Sequence, residues 1–146
     1  MSTVLEILQA KGSDLVTVNR KATVLDAANV MNQHKVGAVV VMDEQNNVEG
    51  IFTERDLMQR VVGQRLSPAD TIVEDVMTSD VVCCEATASI DEARAVMRNR
   101  RIRHLPVVSL EGPLVGMVSI GDLNAWHLEG QEKTIHYLKE YLYGRV

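Results

Sequence analysis

Two short stretches of this chain pair a hydroxyl with a carboxylate three residues later: Thr53-Glu54-Arg55-Asp56 and Ser119-Ile120-Gly121-Asp122. Each follows a glycine, Gly50 or Gly116, set three residues ahead of the hydroxyl. That spacing suits a helix start, where the hydroxyl accepts from the N3 amide and the acid answers the N-cap amide. It also suits nucleotide chemistry. Unpaired N–H groups and the positive end of a helix dipole attract phosphate, and an acid in the first turn can accept from two ribose hydroxyls. Capping and ligand binding use the same letters, so both stand open at these positions. Other chemistry is harder to find: His34, His104, Cys83 and Cys84 are the residues that suggest a nucleophile or base, and none stands in a motif pairing nucleophile, base and orienting group. Adjacent Cys83 and Cys84 lack metal-ligand spacing, and no cluster of His and carboxylates has it either. The chain is therefore expected to have no catalytic residues and no metal site.

The elements that must position the two motifs come in duplicate. At a shift of 66 residues, residues 14–57 align without a gap on residues 80–123. Identities include Asp14/Asp80, Ala27/Ala93, Met31/Met97, Val41/Val107, Gly50/Gly116, Asp56/Asp122 and Leu57/Leu123. Apolar positions match apolar positions between them, as expected for two copies of one supersecondary unit. In each copy a short β-prone run, Leu15 to Val18 or Val81 to Cys84, precedes a capping-box helix start at Thr23-x-x-Asp26 or Ser89-x-x-Glu92. Helical spacing follows at Ala27, Val30 and Met31, and again at Ala93, Val96 and Met97. Two strands come next, Val36 to Met42 with Val48 to Phe52, and Ile102 to Val108 with Leu114 to Val118. A second helix opens at Thr53 or Ser119. The predicted order is β-α-β-β-α, twice. Residues 2–10 form a short amphipathic helix, Pro68-Ala69-Asp70 begins a helical turn, and Ile135, Leu138 and Leu142 give the C-terminal tail an apolar stripe flanked by Tyr137 and Tyr141.

Composition bounds the function. The chain has 146 residues, 46% apolar and 24% charged, which places it with folded globular proteins. Its longest apolar run, Val36 to Met42, is seven residues, far from the roughly 20 of a bilayer span. With no signal-peptide pattern at MSTVLEILQAKG, a cytoplasmic location without membrane attachment is expected. A net charge of −5 opposes nucleic-acid phosphates, and five aromatic residues give no stacking platform. Arg94, Arg98 and Arg101 share one helical face, read as a solvated surface.

These residues resemble the CBS domain family, in the tandem arrangement called a Bateman module. The resemblance rests on the repeat, on LPVV at Leu105 to Val108 with its counterpart VVVM at Val39 to Met42, and on the two Gly-to-Asp segments. It covers about residues 1–125 and implies an α/β fold of two repeats related by pseudo-twofold symmetry, with flanking N- and C-terminal helices. The expected division is residues 1–62 for the first repeat with the N-terminal helix, 63–79 for a linker, 80–125 for the second repeat and 126–146 for a helical tail. No catalytic domain accompanies the pair, so a stand-alone, non-enzymatic module is expected.

The resemblance implies a regulatory sensor that binds adenosine-containing molecules, such as AMP, ATP, NAD or S-adenosylmethionine, in clefts between the copies. It implies a homodimer and a regulated partner protein that the sequence does not identify. A scaffold that only dimerises, without ligand, is the alternative. Family roles carry over to this chain residue by residue: Asp56 and Asp122 to ribose, Thr53 and Ser119 to phosphate. Arg103-His104 stand where family members place phosphate-reaching cations, and a guanidinium suits bidentate contact there. Gly37-Ala38 occupy the matching place in the first copy, too small to touch phosphate but leaving room for a ring. Arg55, where the second copy has Gly121, points to either phosphate or solvent. Val16, Val18, Val82, Val39, Ile51 and Pro106 are candidates for an adenine slot, and most of them also fit a plain core.

Overall fold

A computed structural model describes residues 2–12 and 15–129, and the chain divides between two units near Cys83 and Cys84. In the unit built on the first copy, β1 (Thr17–Asn19), α2 (Val24–His34), β2 (Ala38–Met42) and β3 (Val48–Thr53) lead into α3 (Glu54–Asp56), which continues as a π-helical stretch over Leu57–Val62. The sheet order is β1-β2-β3, with β1 parallel and β3 antiparallel to the central β2. Val39, Val40 and Val41 are fully buried, as a central strand covered on both faces requires. Thr23 opens α2 with the expected capping box: its Oγ1 accepts from the Asp26 amide at 3.0 Å and the Asp26 carboxylate accepts from the Thr23 amide at 3.1 Å. Ala27 and Met31 of α2 then pack with Val39, Val41, Phe52, Val61, Val73 and Val76 in one apolar core.

The second copy repeats this plan in β4 (Cys84–Glu85), α5 (Ile90–Arg100), β5 (His104–Val108), β6 (Leu114–Ser119) and α6 (Ile120–Glu129), with sheet order β4-β5-β6. The duplication extends to irregularities. Pairing register shifts at Val41/Met42 and again at Val107/Val108, and the first helix of each copy ends on a left-handed residue with φ of 56°, Lys35 or Arg101. Three expectations shift. The first strands start later than predicted, because each is limited to the residues that pair with the middle strand, Val40 to Met42 or Val107 and Val108. Ser89 Oγ accepts from the Glu92 amide at 3.0 Å, but the return half of that capping box is absent, and residues 2–4 pair with residues 88–90 instead. Arg94 is not a solvated surface residue: its Nη2 donates to the Leu123 carbonyl at 3.2 Å and ties α5 to α6. The predicted tail stripe at Ile135, Leu138 and Leu142 lies outside the described residues.

A larger correction concerns the N-terminal helix, α1 (Val4–Lys11). It was expected with the first repeat, yet it belongs to the unit of the second. The glycines show why. A Cβ at Gly116 would stand 2.9 Å from Leu8 Cδ2, so β6 needs a bare backbone to seat α1, whose Val4, Ile7 and Leu8 are buried. In the first unit the same role falls to the segment after α4 (Val73–Val76), where a Cβ at Gly50 would stand 2.6 Å from both Met77 Sδ and the Thr78 carbonyl oxygen. Ile51 and Thr78 exchange both backbone hydrogen bonds at 2.9 Å, which fixes that carbonyl. We therefore expect Gly50→Ala to destabilise the protein by about 1–3 kcal/mol, the usual overpacking cost, and Gly116→Ala by less, because only the end of a leucine must yield. Urea unfolding of the two variants checks this; equal losses would refute it.

Candidate functional site

In the second-repeat unit the Ser119-to-Asp122 segment forms a complete capping box. Ser119 Oγ accepts from the Asp122 amide at 3.1 Å, and Asp122 Oδ2 accepts from the Ser119 amide at 2.8 Å. The Ile120 amide donates to the Arg103 carbonyl at 2.8 Å, and His104 pairs with Ser119 across the β5–β6 ladder. These bonds bring Arg103, His104, Ser119, Gly121 and Asp122 to one place, which the sequence alone could not establish. Of the first amides of α6, those of Ile120 and Asp122 are occupied, while that of exposed Gly121 has no partner among the described residues. Arg103 is exposed and His104 half-buried.

Asp122 has one further partner. Lys11 Nζ, at the end of α1, donates to the same Oδ2 at 2.7 Å, with the two side chains 39% and 26% exposed. Burial pushes the Asp122 carboxyl upward, and the bonds from Lys11 and from the Ser119 amide outweigh it, holding the group below the usual carboxylate range. Both bonds fall on Oδ2, and Oδ1 has no partner among the described residues.

The matching carboxylate of the first-repeat unit is closed. Asp56 is only 6% exposed. Its Oδ2 accepts from the Thr53 amide at 3.0 Å, the Thr78 hydroxyl reaches Oδ1 at 3.0 Å and Oδ2 at 3.3 Å, and Arg60 Nε stands 3.7 Å from Oδ1. Arg60 Nη1 in turn donates to the Met77 carbonyl at 2.8 Å. Asp56 is thus bonded as a helix cap, with Thr78 and Arg60 on the same carboxylate. The Glu54 amide donates to the Gly37 carbonyl at 3.0 Å, and Ala38 pairs with Thr53, so Gly37-Ala38 stand beside this motif as Arg103-His104 stand beside the other.

The proposed adenine slot residues are mostly core. Val18, Val39, Ile51 and Pro106 are buried, and Val16 is partly buried against the first core cluster. Val82 is half-buried two residues before β4 and belongs to the end of the first-repeat unit. Arg55 is exposed on the first turn of α3. Lys11, Arg60 and Thr78 escaped the sequence reading. Continuing the 66-residue register backward sets Ser13-Asp14 on Ser79-Asp80, but it places Lys11 opposite Met77 and Gly12 opposite Thr78, so the repeat marks neither as a carboxylate partner. Among the described residues no His, Cys, Asp or Glu group could hold a metal ion, and no helix is long and apolar enough to cross a membrane.

A paired three-stranded α/β repeat with a capped Ser/Thr-to-Asp turn in each copy defines a tandem module, and comparison with known proteins gives its family. The CBS domain model matches residues 6–63 and 73–128, and the chain belongs to the CBS domain family. A CBS-domain-containing protein of Agrobacterium tumefaciens is 40% identical in sequence and superposes with a TM-score of 0.80 over 85% of this chain and 92% of that one. A CBS domain protein of Pyrobaculum aerophilum, solved in complex with AMP, is 30% identical, with a TM-score of 0.73 over 82% of this chain and 88% of that one. An uncharacterized protein of Methanopyrus kandleri is 36% identical over 110 residues, which make up 75% of this chain and 56% of the relative.

Proposed function

We propose that this protein is a non-enzymatic, cytoplasmic regulatory module that binds an adenine nucleotide, of the AMP, ATP or NAD class, and passes its occupancy to a partner protein. The observation that carries this reading is the open turn of the second repeat, with Oδ1 of Asp122, the Gly121 amide, Arg103 and His104 gathered on one α6 start. The AMP complex of the Pyrobaculum aerophilum relative supports the ligand class. In this reading Asp122 accepts from ribose, and Ser119, the Gly121 amide, Arg103 and His104 face phosphate. Thr53, Arg55, Asp56, Gly37 and Ala38 form the corresponding set of the first repeat, and Val16, Val18, Val82 and Pro106 belong to the base slot. Occupancy can shift a partner only by differing in affinity between two states of the module.

Calorimetry on nucleotide-stripped protein tests the reading. AMP is expected to bind more tightly than adenosine, and Arg103→Ala is expected to narrow that gap, since a guanidinium contributes a bidentate, charge-assisted contact to phosphate. Retention of the full AMP preference by Arg103→Ala removes the phosphate role from that side chain. Absence of binding by AMP, ATP and NAD leaves the ligand-free dimerising scaffold, which the fully bonded Asp56 favours.

A homodimer is part of the proposal. Met58 and Val62, one helical turn apart on the π-helical stretch, are 61% and 64% exposed, an apolar pair that a second copy of the chain would cover. Light scattering at micromolar concentration is expected to give twice the 16.2 kDa chain mass; a monomer with and without nucleotide overturns it.

A further inference from the structure

The two carboxylates at equivalent positions are held by different chemistry. Thr78, following α4, gives Asp56 a neutral hydroxyl shared between both carboxylate oxygens. Lys11, closing α1, gives Asp122 a single charged bond on Oδ2. Thr78 is a short side chain whose backbone is locked to Ile51, whereas the Lys11 ammonium sits on a long, partly exposed stem. The first contact is built to stay and the second can be exchanged, because an exposed ion pair contributes little net stability and a lysine head is readily rehydrated.

We propose that Lys11 is a built-in competitor at Asp122, occupying the carboxylate until a ribose diol displaces it, so that nucleotide capture releases the end of α1. This rests on the ribose role given to Asp122 above. A diol engaging both oxygens needs Oδ2, which already takes the Ser119 amide and the Lys11 ammonium. The Ser119 bond is part of the α6 start and remains, so the lysine is the partner that leaves. Freed from Asp122, Lys11 no longer ties α1 to α6, and the N-terminal helix gains a state that depends on occupancy. The Ser119 amide, which does not depend on Lys11, continues to donate to the carboxylate when the lysine is exchanged for ligand.

The test is Lys11→Met, which installs the residue that occupies the matching position, Met77, in the other copy. Adenosine and AMP are titrated into wild type, Lys11→Met and Lys11→Met/Asp122→Asn. Adenosine carries no phosphate, so its response isolates the ribose competition from charge attraction. Loss of the competitor is expected to tighten adenosine on the order of 1.5- to 5-fold, the range of an exposed ion pair, with the gain abolished in the double variant. Lys11→Gln, which also lacks the charge, is expected to behave likewise and guards against association through an added methionine. Unchanged or weaker adenosine binding by both single variants, with AMP still bound, overturns the competitor and leaves the nucleotide reading intact. Weaker AMP with unchanged adenosine also overturns it, making Lys11 a phosphate contact instead. If neither wild type nor Lys11→Met binds adenosine, AMP, ATP or NAD, the nucleotide reading itself fails and the competitor falls with it.

Discussion

Asp56→Ala is expected to destabilise the protein by about 2–4 kcal/mol, because it deletes an acceptor serving the Thr53 amide, the Thr78 hydroxyl and Arg60. An N-cap partner is worth about 0.5–2 kcal/mol and a hydrogen bond to a charged group about 1.5–3 kcal/mol, and contacts in one network do not add fully. Burial decides the sign of the remainder. Asp56 is nearly enclosed, and the half-buried Thr53 amide and Thr78 hydroxyl lose their acceptor there, whereas exposed Arg60 rehydrates. Asp122→Ala removes a carboxylate of the same type in the same turn, but its lysine partner is partly exposed and rehydrates at once, so the expected loss is only about 1 kcal/mol. Urea unfolding with comparison of midpoints and slopes separates the two. Equal losses at both positions would show that the closed and open turns differ only in appearance.

The duplicated β-α-β-β-α order was legible because it is written in short-range signals. Ala27 and Met31 carry the period of a helix, Val39 to Val41 the unbroken apolar run of a buried strand, and Thr23 with Asp26 a cap readable within four residues. The same locality showed the asymmetry of Arg103-His104 against Gly37-Ala38 and hid that of the two carboxylates. Thr53-x-x-Asp56 and Ser119-x-x-Asp122 spell the same turn, and both form it, but what distinguishes them arrives from 22 residues downstream as Thr78 and from 111 residues upstream as Lys11. No periodicity encodes such a partner. Arg94 was misassigned for a related reason: helical spacing places it on a face but does not reveal that the carbonyl of Leu123 meets it there. Spacing also does not reveal that the bare backbones of Gly50 and Gly116 seat Met77 and Leu8.

Asp122→Ala is expected to weaken AMP binding by about 2–4 kcal/mol, on the order of a hundredfold, if its carboxylate takes both ribose hydroxyls as proposed. The magnitude follows from about 1.5–3 kcal/mol for each hydrogen bond to a charged acceptor, reduced because one carboxylate shares the two and because Lys11 reclaims Oδ2 in the empty protein. A cycle with 2′-deoxy-AMP isolates the contact. Wild type should prefer AMP over the deoxynucleotide, and Asp122→Ala should lose most of that preference while retaining whatever affinity the phosphate supplies through Arg103 and the start of α6. Asp56→Ala, measured where it remains folded, serves as the contrasting variant. With Thr78 and Arg60 already on that carboxylate, its removal should change stability far more than it changes affinity. If Asp122→Ala keeps the full discrimination between AMP and 2′-deoxy-AMP, ribose is held elsewhere, and the turn of the second repeat is a helix cap like that of the first.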